Sequence, residues 1–173
     1  MASRTDWSSA FLEQAKDDLK AARALAIPPA KSYAVICMLL QMVFEKLSKA
    51  ALIRQGYDLE AIQKSHKAAT SFMLLLRNDK VLREQLEQPA SVFGLTANVR
   101  ELERLHPSNS QGKTPKLEYP WEDPGSGAVL WPAAHLELVR RYQHPADMTM
   151  SKLIKLATVL TAGVEKMLPL SRN

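Results

Sequence analysis

The chain has 173 residues, of which 46% are hydrophobic and 24% are charged. This composition is typical of a globular domain and excludes a disordered or fibrous chain. The formal net charge of +5 at pH 7 permits weak attraction to phosphate-bearing partners, but no run of Lys and Arg exceeds two residues, which argues against a basic tail or arm.

The first predicted helix runs from about Asp6 to Leu25. Thr5 or Asp6 can serve as its N-cap. Apolar residues recur in it at intervals of three and four residues, as they do on the buried stripe of an amphipathic helix. These residues are Trp7, Phe11, Ala15, Leu19 and Ala22. We therefore expect this helix to pack with one face on a neighbouring helix.

The second predicted helix lies between Pro28 and Gly56 and is the most informative segment. Residues 33–40 are apolar without interruption, and no Pro or Gly occurs inside the helix. A helix that is apolar most of the way round must be covered by other helices. The sequence therefore predicts an all-α fold. We expect an up-and-down bundle of about five main helices around a buried central helix, forming a single domain over residues 1–173.

Cys37, the only cysteine, lies in this central helix. A single cysteine excludes an internal disulfide and a zinc site built from several cysteines, and it favours a reducing cytoplasm. We interpret Cys37 as a small core residue rather than a reactive thiol. No apolar run reaches the length of about 18 residues that a membrane span requires, so we expect no membrane association.

The remaining elements are again helical. Ser65 is a suitable N-cap for a third helix, a short helical piece around Val81 ends before Pro89, and a fourth main helix spans about Ser91 to Leu105. Two further helices follow, one from Pro132 to about Tyr142 and one that starts at Thr149 or Ser151.

Between the fourth helix and Pro132, residues 106–131 form one long loop rich in Pro, Gly and polar residues. Loops of this length are uncommon inside compact domains and are often functional. The loop contains Tyr119, Trp121 and Trp131, so we expect it to lie on the bundle. Aromatic side chains can stack on nucleic-acid bases, but the carboxylates beside them would repel a phosphate backbone, which favours clamping the bundle or a protein partner.

Several polar residues outside the loop are candidates for binding. His66 and Lys67, at the start of the third helix, could contact a phosphate or nucleotide through the free N–H groups there. We favour a neutral structural His66, because a positively charged His is poorly placed at the positive end of the helix dipole. Glu45 and Lys49 are four residues apart, which predicts an ion pair on the helix surface, while a binding groove is the alternative. The four histidines lack zinc-ligand spacing and no Gly-rich phosphate loop occurs, so we expect no metal and no cofactor.

With these segments identified, the chain resembles the HEPN superfamily of small helical bundles. The resemblance lies in residues 15–25 of the first helix, in residues 44–56 at the end of the second, and in Ser65-His66-Lys67. It implies a homodimer and an association with RNA, toxin–antitoxin or defence systems, with RNA, a nucleotide or a protein such as an antitoxin as partner. Our first hypothesis is a HEPN-like binding and dimerisation module.

Many HEPN proteins are metal-independent endoribonucleases that use an Arg and a His a few residues apart. Arg100 and His106 show such an Arg-x5-His spacing. The resemblance implies that Arg100 holds the phosphate, with Arg104 as a further binding residue, and that His106 transfers the proton. On a regular helix, however, Arg100 and His106 would lie about 120° apart. The interpretation that we favour has Arg100, Glu103 and Arg104 as exposed helix charges and His106 as a helix-end residue whose imidazole meets the last carbonyls.

Three hypotheses therefore stay open: the binding and dimerisation module, the endoribonuclease with Arg100 and His106 as catalytic residues, and a helical protein–protein adaptor that recognises its partner through residues 106–131. The small basic excess favours the first two over the third.

Overall fold

The computed structural model describes residues 3–29, 31–86, 94–109 and 115–167. Its helices, in chain order, are α1 (Arg4–Leu25), α2 (Tyr33–Arg54), α3 (Leu59–Lys64), α4 (Ala68–Asn78), α5 (Lys80–Gln85), α6 (Thr96–Arg104), α7 (Pro132–His135), α8 (Glu137–Gln143) and α9 (Thr149–Lys166). The predicted all-α class is confirmed. The described chain also contains a two-stranded antiparallel hairpin, β1 (Trp121–Glu122) with β2 (Val129–Leu130), inside the long loop.

The central helix α2 is confirmed as the core of the bundle. Helices α1, α4, α6, α8 and α9 all pack on it. Seven of its apolar side chains are completely buried: Ile36, Cys37, Leu40, Val43, Leu47, Ala50 and Ala51. The predicted start at Pro28 is wrong, because Pro28 and Pro29 lie in a turn and α2 begins at Tyr33. Gly56 has a φ of 81°, which agrees with its predicted place just past the helix end.

Helix α1 is capped by Ser3, and the predicted caps Thr5 and Asp6 lie inside the helix. The hydroxyl of Ser3 accepts a hydrogen bond from the N–H of Asp6 (3.1 Å), and the carboxylate of Asp6 accepts one from the N–H of Ser3 (2.7 Å). This reciprocal pair satisfies two backbone donors at once, which explains why Ser3 is preferred as the cap.

Three other predicted boundaries differ from the structure. The third predicted helix corresponds to α4, whose N-cap is Lys67 and not Ser65, and the predicted connector before it contains the short helix α3. The hydroxyl of Ser65 accepts from the N–H of Lys67 (3.1 Å) in the connection between α3 and α4. The helix predicted from Pro132 is also divided, into α7 and α8, whereas α9 begins at Thr149 as predicted. The fourth helix begins at Thr96, and its predicted start at Ser91 lies outside the described residues.

Helix α6 is joined to α4 by the carboxylate of Glu103, which is buried, so the prediction that Glu103 is an exposed helix charge is wrong. Glu103, near the end of α6, accepts hydrogen bonds from the N–H (2.9 Å) and the hydroxyl of Thr70 in the first turn of α4. The loop after α6 returns to the C-terminal end of this helix. The N–H of Leu117 donates to the carbonyl of Leu105 (3.3 Å), and the Leu117 side chain is buried. The end of α6, the start of α4 and residues 115–118 therefore meet at one end of the bundle.

No helix in the described part of the chain combines the length and the apolar character that a membrane span requires.

Candidate functional site

Three titratable side chains converge where α2, α4 and α6 meet. Glu45 projects from α2, His66 lies just before α4, and His106 lies just after α6. Glu45 Oε1 is 3.3 Å from His66 Nδ1, and Glu45 Oε2 is 3.7 Å from His106 Nε2. The two imidazole rings stack with centroids 4.2 Å apart and planes inclined by 19°. We call Glu45, His66 and His106 the polar cluster.

Lys49, one helical turn after Glu45 on α2, contacts the polar cluster. Its Nζ is 2.8 Å from Glu45 Oε1, so the ion pair expected from their spacing on α2 forms, but it is largely buried and not on the helix surface as predicted. The same Nζ donates to the carbonyl of Gln63 (3.0 Å) and lies over the ring of Phe11. Because Lys49 is only 4% exposed, its ammonium is not open to a ligand in solution, and its role here is to compensate the charge of Glu45.

The Glu103–Thr70 contact explains how the two histidines come together. His66 lies four residues before Thr70, and His106 lies three residues after Glu103, so docking the end of α6 on the first turn of α4 brings both imidazoles to the same side of α2. The N–H of Thr70 is one of the donors at the start of α4 that could bind a phosphate. It already donates to the carboxylate of Glu103 and is therefore not available.

The two nitrogens of His106 face different partners. The backbone N–H of Ser108 donates to Nδ1 (3.1 Å), so in the neutral ring the proton lies on Nε2, on the side of Glu45. Burial lowers the pKa of His106, the charge of His66 also lowers it, and the carboxylate of Glu45 opposes this effect. His106 is therefore a neutral imidazole at pH 7 in this structure.

His66 has the opposite orientation. Its Nδ1 faces Glu45 and is buried, whereas its side chain as a whole is 36% exposed, so solvent reaches other atoms of the ring. The Glu45 carboxylate is near Nδ1, but the two groups form no hydrogen bond, so their contact is electrostatic.

The polar cluster also meets a distance test for a metal site, since one ligand atom from each of its three residues lies within 4.8 Å of the others. The chemistry of these ligand atoms, however, does not suit a metal ion. The Ser108 N–H occupies the lone pair on Nδ1 of His106 and leaves Nε2 protonated, so Nε2 cannot bind a metal while this bond stands. The ammonium of Lys49 on Glu45 adds a repulsive charge. The predicted absence of a metal stays a prediction.

The three exposed basic residues predicted as binding or catalytic residues lie on α6 or directly before α4. Lys67, Arg100 and Arg104 are all exposed. Arg100 and Arg104 are four residues apart on α6 and share its outer face. Among the described residues Arg100 has no hydrogen-bond or ion-pair partner, and the structure does not join it to His106. The objection from helix geometry does not apply, because α6 ends at Arg104, before His106. The catalytic pairing of Arg100 with His106 stays a prediction.

The sequence identified His66, His106 and the Glu45–Lys49 pair separately, but it did not predict that they meet. The contact between Glu103 and Thr70, 33 residues apart, creates the polar cluster. The only local signal was a histidine at the boundary of each of two helices.

A family model of the HEPN domain matches residues 8–120, a range that includes the polar cluster, Arg100 and Arg104. No curated protein and no solved structure matches the chain.

Proposed function

The chain belongs to the HEPN domain family, and from this premise we propose that it is an RNA-binding HEPN module that forms a homodimer. We assign RNA binding to Lys67, Arg100 and Arg104, which we call the basic surface. Lys67 directly precedes the α4 turn to which Glu103 bonds, so it lies at the same end of the bundle as the C-terminal end of α6.

The distribution of charge on α6 carries this proposal. The two acidic residues of this helix are both engaged: Glu101 is 2.6 Å from Arg141, and Glu103 is turned inward to Thr70. Arg100 and Arg104 remain exposed on the outer face. A helix with equal numbers of acidic and basic residues therefore presents a positive surface, and Arg is well suited to phosphate because its planar guanidinium binds two oxygens.

RNA binding can be tested by fluorescence anisotropy with a labelled single-stranded RNA at several salt concentrations. We expect affinity to fall steeply as salt rises, because binding releases counterions. The Arg100→Ala/Arg104→Ala variant should bind more weakly and lower the log–log salt slope by about 1.4, since each phosphate contact on a single strand contributes about 0.7. Unchanged binding in this variant would contradict the proposal.

Helix α9 provides a charge-matched control. Lys152 and Lys155 are exposed on it, and α9 packs mainly on α1 and α2. Lys152→Ala/Lys155→Ala removes the same charge as the arginine variant but leaves α6 intact. We expect its RNA affinity to stay within about twofold of the unmodified chain, whereas an equal loss in both variants would indicate attraction by net charge alone.

Membership of the HEPN family also indicates which partners to expect for this chain. HEPN domains commonly dimerise, and we extend this to the present chain. Light scattering coupled to size-exclusion chromatography tests the homodimer directly. We further place the chain in RNA-related, toxin–antitoxin or defence systems, with a protein such as an antitoxin as its second partner. Salt-independent association with a protein would instead favour the adaptor hypothesis for residues 106–131.

The second candidate function is a metal-independent endoribonuclease, which the neutral His106 beside Glu45 favours. In its predicted form, Arg100 binds the phosphate and His106 transfers the proton. The Ser108 bond to Nδ1 weighs against this division of roles, since the neutral ring then has no lone pair available to accept a proton. Cleavage of RNA in EDTA tests this candidate.

A further inference from the structure

We propose that helix α6, which packs over an unpaired buried amide of α2, leaves the bundle as a unit while the other helices stay packed, and that RNA binding holds it in the docked position. The inference rests on the RNA binding proposed above, because Arg100 and Arg104 lie on α6 whereas Lys67 lies directly before α4. The basic surface is therefore complete only while α6 is docked.

The buried amide belongs to Gln41 in the middle of α2. The residue is 3% exposed, and among the described residues neither its Nε2 nor its Oε1 has a hydrogen-bond partner. Gln41 lines a narrow cavity between α2, α4 and α6, together with Val99 and Glu103 of α6, and this cavity has no room for a water molecule. The amide is thus both dry and unpaired while α6 is docked.

An amide in this state opposes the docking of α6. Burying a polar group without a hydrogen bond costs free energy, and Gln41 recovers its hydrogen bonds to water once α6 moves away. Oγ1 of Thr96, in the first turn of α6, is likewise buried without a partner in the part of the chain that the structure describes. Buried polar groups of folded proteins are nearly always paired, so two unpaired groups at one helix are unusual.

Few apolar contacts compensate for this cost. Three of the nine residues of α6 are buried, and of these Val99 and Leu102 are apolar while Glu103 is bonded to Thr70. Helix α9, by comparison, buries eight of its 18 residues. Since the hydrophobic contribution scales with the apolar area that is buried, α6 is held less strongly than α9.

The polar contacts between α6 and α8 add little. Asn98 Nδ2 is 3.5 Å from the hydroxyl of Tyr142, which is at the limit of a hydrogen bond. Glu101 pairs with Arg141, but both side chains are exposed, and ion pairs of this kind contribute little to stability. Helix α6 is therefore the element whose docking is most finely balanced by the contacts described above.

RNA that contacts both sides of this junction favours the docked state. A strand bound by Lys67 and by Arg100 or Arg104 bridges α4 and α6, and the bridge is lost when α6 undocks. A ligand shifts an equilibrium only by the difference between its affinities for the two states, and here that difference is the contact across the junction. The contacts that bind RNA thus also stabilise α6 in its docked position.

Native-state hydrogen exchange of the full chain, followed by NMR at low urea concentrations, tests the undocking. A nine-residue helix is unstable alone in water, so the amides of α6 exchange once it leaves the bundle. We expect their protection to be at least about 100-fold lower than in the middle of α2, with a smaller dependence on urea, because less surface becomes exposed than in global unfolding. Equal protection and equal urea dependence in both helices would overturn the inference.

Gln41→Met removes the amide and keeps a side chain of similar length. We expect it to slow exchange in α6 by about tenfold, which corresponds to the cost of one unpaired buried polar group. Gln143→Met, the same substitution at an exposed position at the end of α8, is the matched control and should leave this exchange unchanged. Equal slowing in both variants, or none in Gln41→Met, overturns the inference. If Gln41→Met fails to fold, the urea dependence of the unmodified chain decides.

The effect of RNA is measured with the same labelled single strand as in the binding test. At 100 times its dissociation constant, RNA should slow exchange in α6 by up to about 100-fold, because a ligand of the docked state alone lowers the open population by this ratio. Arg100→Ala/Arg104→Ala should reduce the slowing at the same RNA concentration. RNA that binds without slowing exchange in α6 overturns the inference and leaves the proposed RNA binding standing. Absence of RNA binding overturns both.

Discussion

The backbone N–H of Ser108 donates a hydrogen bond to Nδ1 of His106 across 3.1 Å, just beyond the C-terminal end of α6. A nitrogen that accepts this bond cannot carry a proton, so the bond favours the neutral imidazole. Burial acts in the same direction and is the largest cause of the lowered pKa of His106. The folded state therefore binds this proton less well than the unfolded state.

This difference predicts a pH dependence of stability. The ordinary pKa of the imidazole is 6.5 and the folded-state value lies below it, so between these two values the unfolded state binds more protons and stability rises with pH. Acidification from pH 7.5 to 5 should lower the melting temperature less in His106→Asn, which cannot titrate, than in the unmodified chain. Differential scanning fluorimetry across this range measures the effect.

His144→Asn is the control for this experiment, because it removes a histidine with a similar local hydrogen bond outside the polar cluster. This variant shows how much of the change comes from losing such a local hydrogen bond rather than from the polar cluster. If the plots of melting temperature against pH run parallel for His106→Asn and the unmodified chain, protonation of His106 does not oppose folding.

The sequence predicted the central helix well because its signal is local. An uninterrupted apolar block between residues 33 and 40 can be buried only in a helix that neighbours cover on most sides. The start of the helix was misplaced, since Pro28 and Pro29 are as compatible with a turn as with a first helical turn. Ser3 was missed as the cap of α1 because the capping box depends on a reciprocal bond with Asp6.

The polar cluster was less predictable for a physical reason. The spacing of Glu45 and Lys49 indicates their ion pair directly, because residues four apart are neighbours on a helix. The stacking of His66 on His106 depends instead on how α6 docks on α4, and no periodicity encodes that contact. The angle argument against Arg100 and His106 assumed a helix that continues to residue 106, whereas α6 ends at Arg104.

The docking of α6 on α4 gives a second prediction. Glu103→Ala removes the acceptor for the N–H and the hydroxyl of Thr70 in a half-buried position. Leaving such donors without partners costs about 1–3 kcal/mol, so urea denaturation should show a loss of this size in the free energy of unfolding.

Glu101→Ala on the same helix is the matched comparison. Glu101 pairs with Arg141 at the surface, where both side chains are about 40% exposed, and such pairs contribute at most about 1 kcal/mol. We expect Glu103→Ala to be clearly the more destabilising variant. Equal losses would mean that the buried carboxylate does not join the two helices.

The third prediction concerns the thiol of Cys37. The side chain is completely buried in α2, and burial raises its pKa to about 12, so the reactive thiolate is nearly absent at pH 8. Native protein should react with a thiol reagent such as Ellman's reagent far more slowly than protein in guanidinium chloride, which should release one thiol per chain. Rapid reaction of the native protein would contradict the placement of Cys37 in the core.

The fourth prediction concerns the close approach of α9 to the end of α5. A Cβ at Gly163 would lie 2.9 Å from Leu86 Cδ2 and 3.1 Å from the carbonyl oxygen of Leu86. In an open helix Gly→Ala stabilises by about 1 kcal/mol, but here the added methyl group forces the backbone of Leu86 to shift. Overpacking of this kind costs about 1–3 kcal/mol, so Gly163→Ala should lower the free energy of unfolding.

Gly94→Ala separates the steric effect from the intrinsic preference of the backbone. A Cβ at Gly94 would meet no atom within 4 Å, so this variant reports the change in chain flexibility alone and should be neutral or slightly stabilising. Urea denaturation of both variants gives the comparison. If Gly163→Ala proves as stable as Gly94→Ala, then Leu86 yields freely to the methyl group, and glycine at this position is not required for α9 to pack against the end of α5.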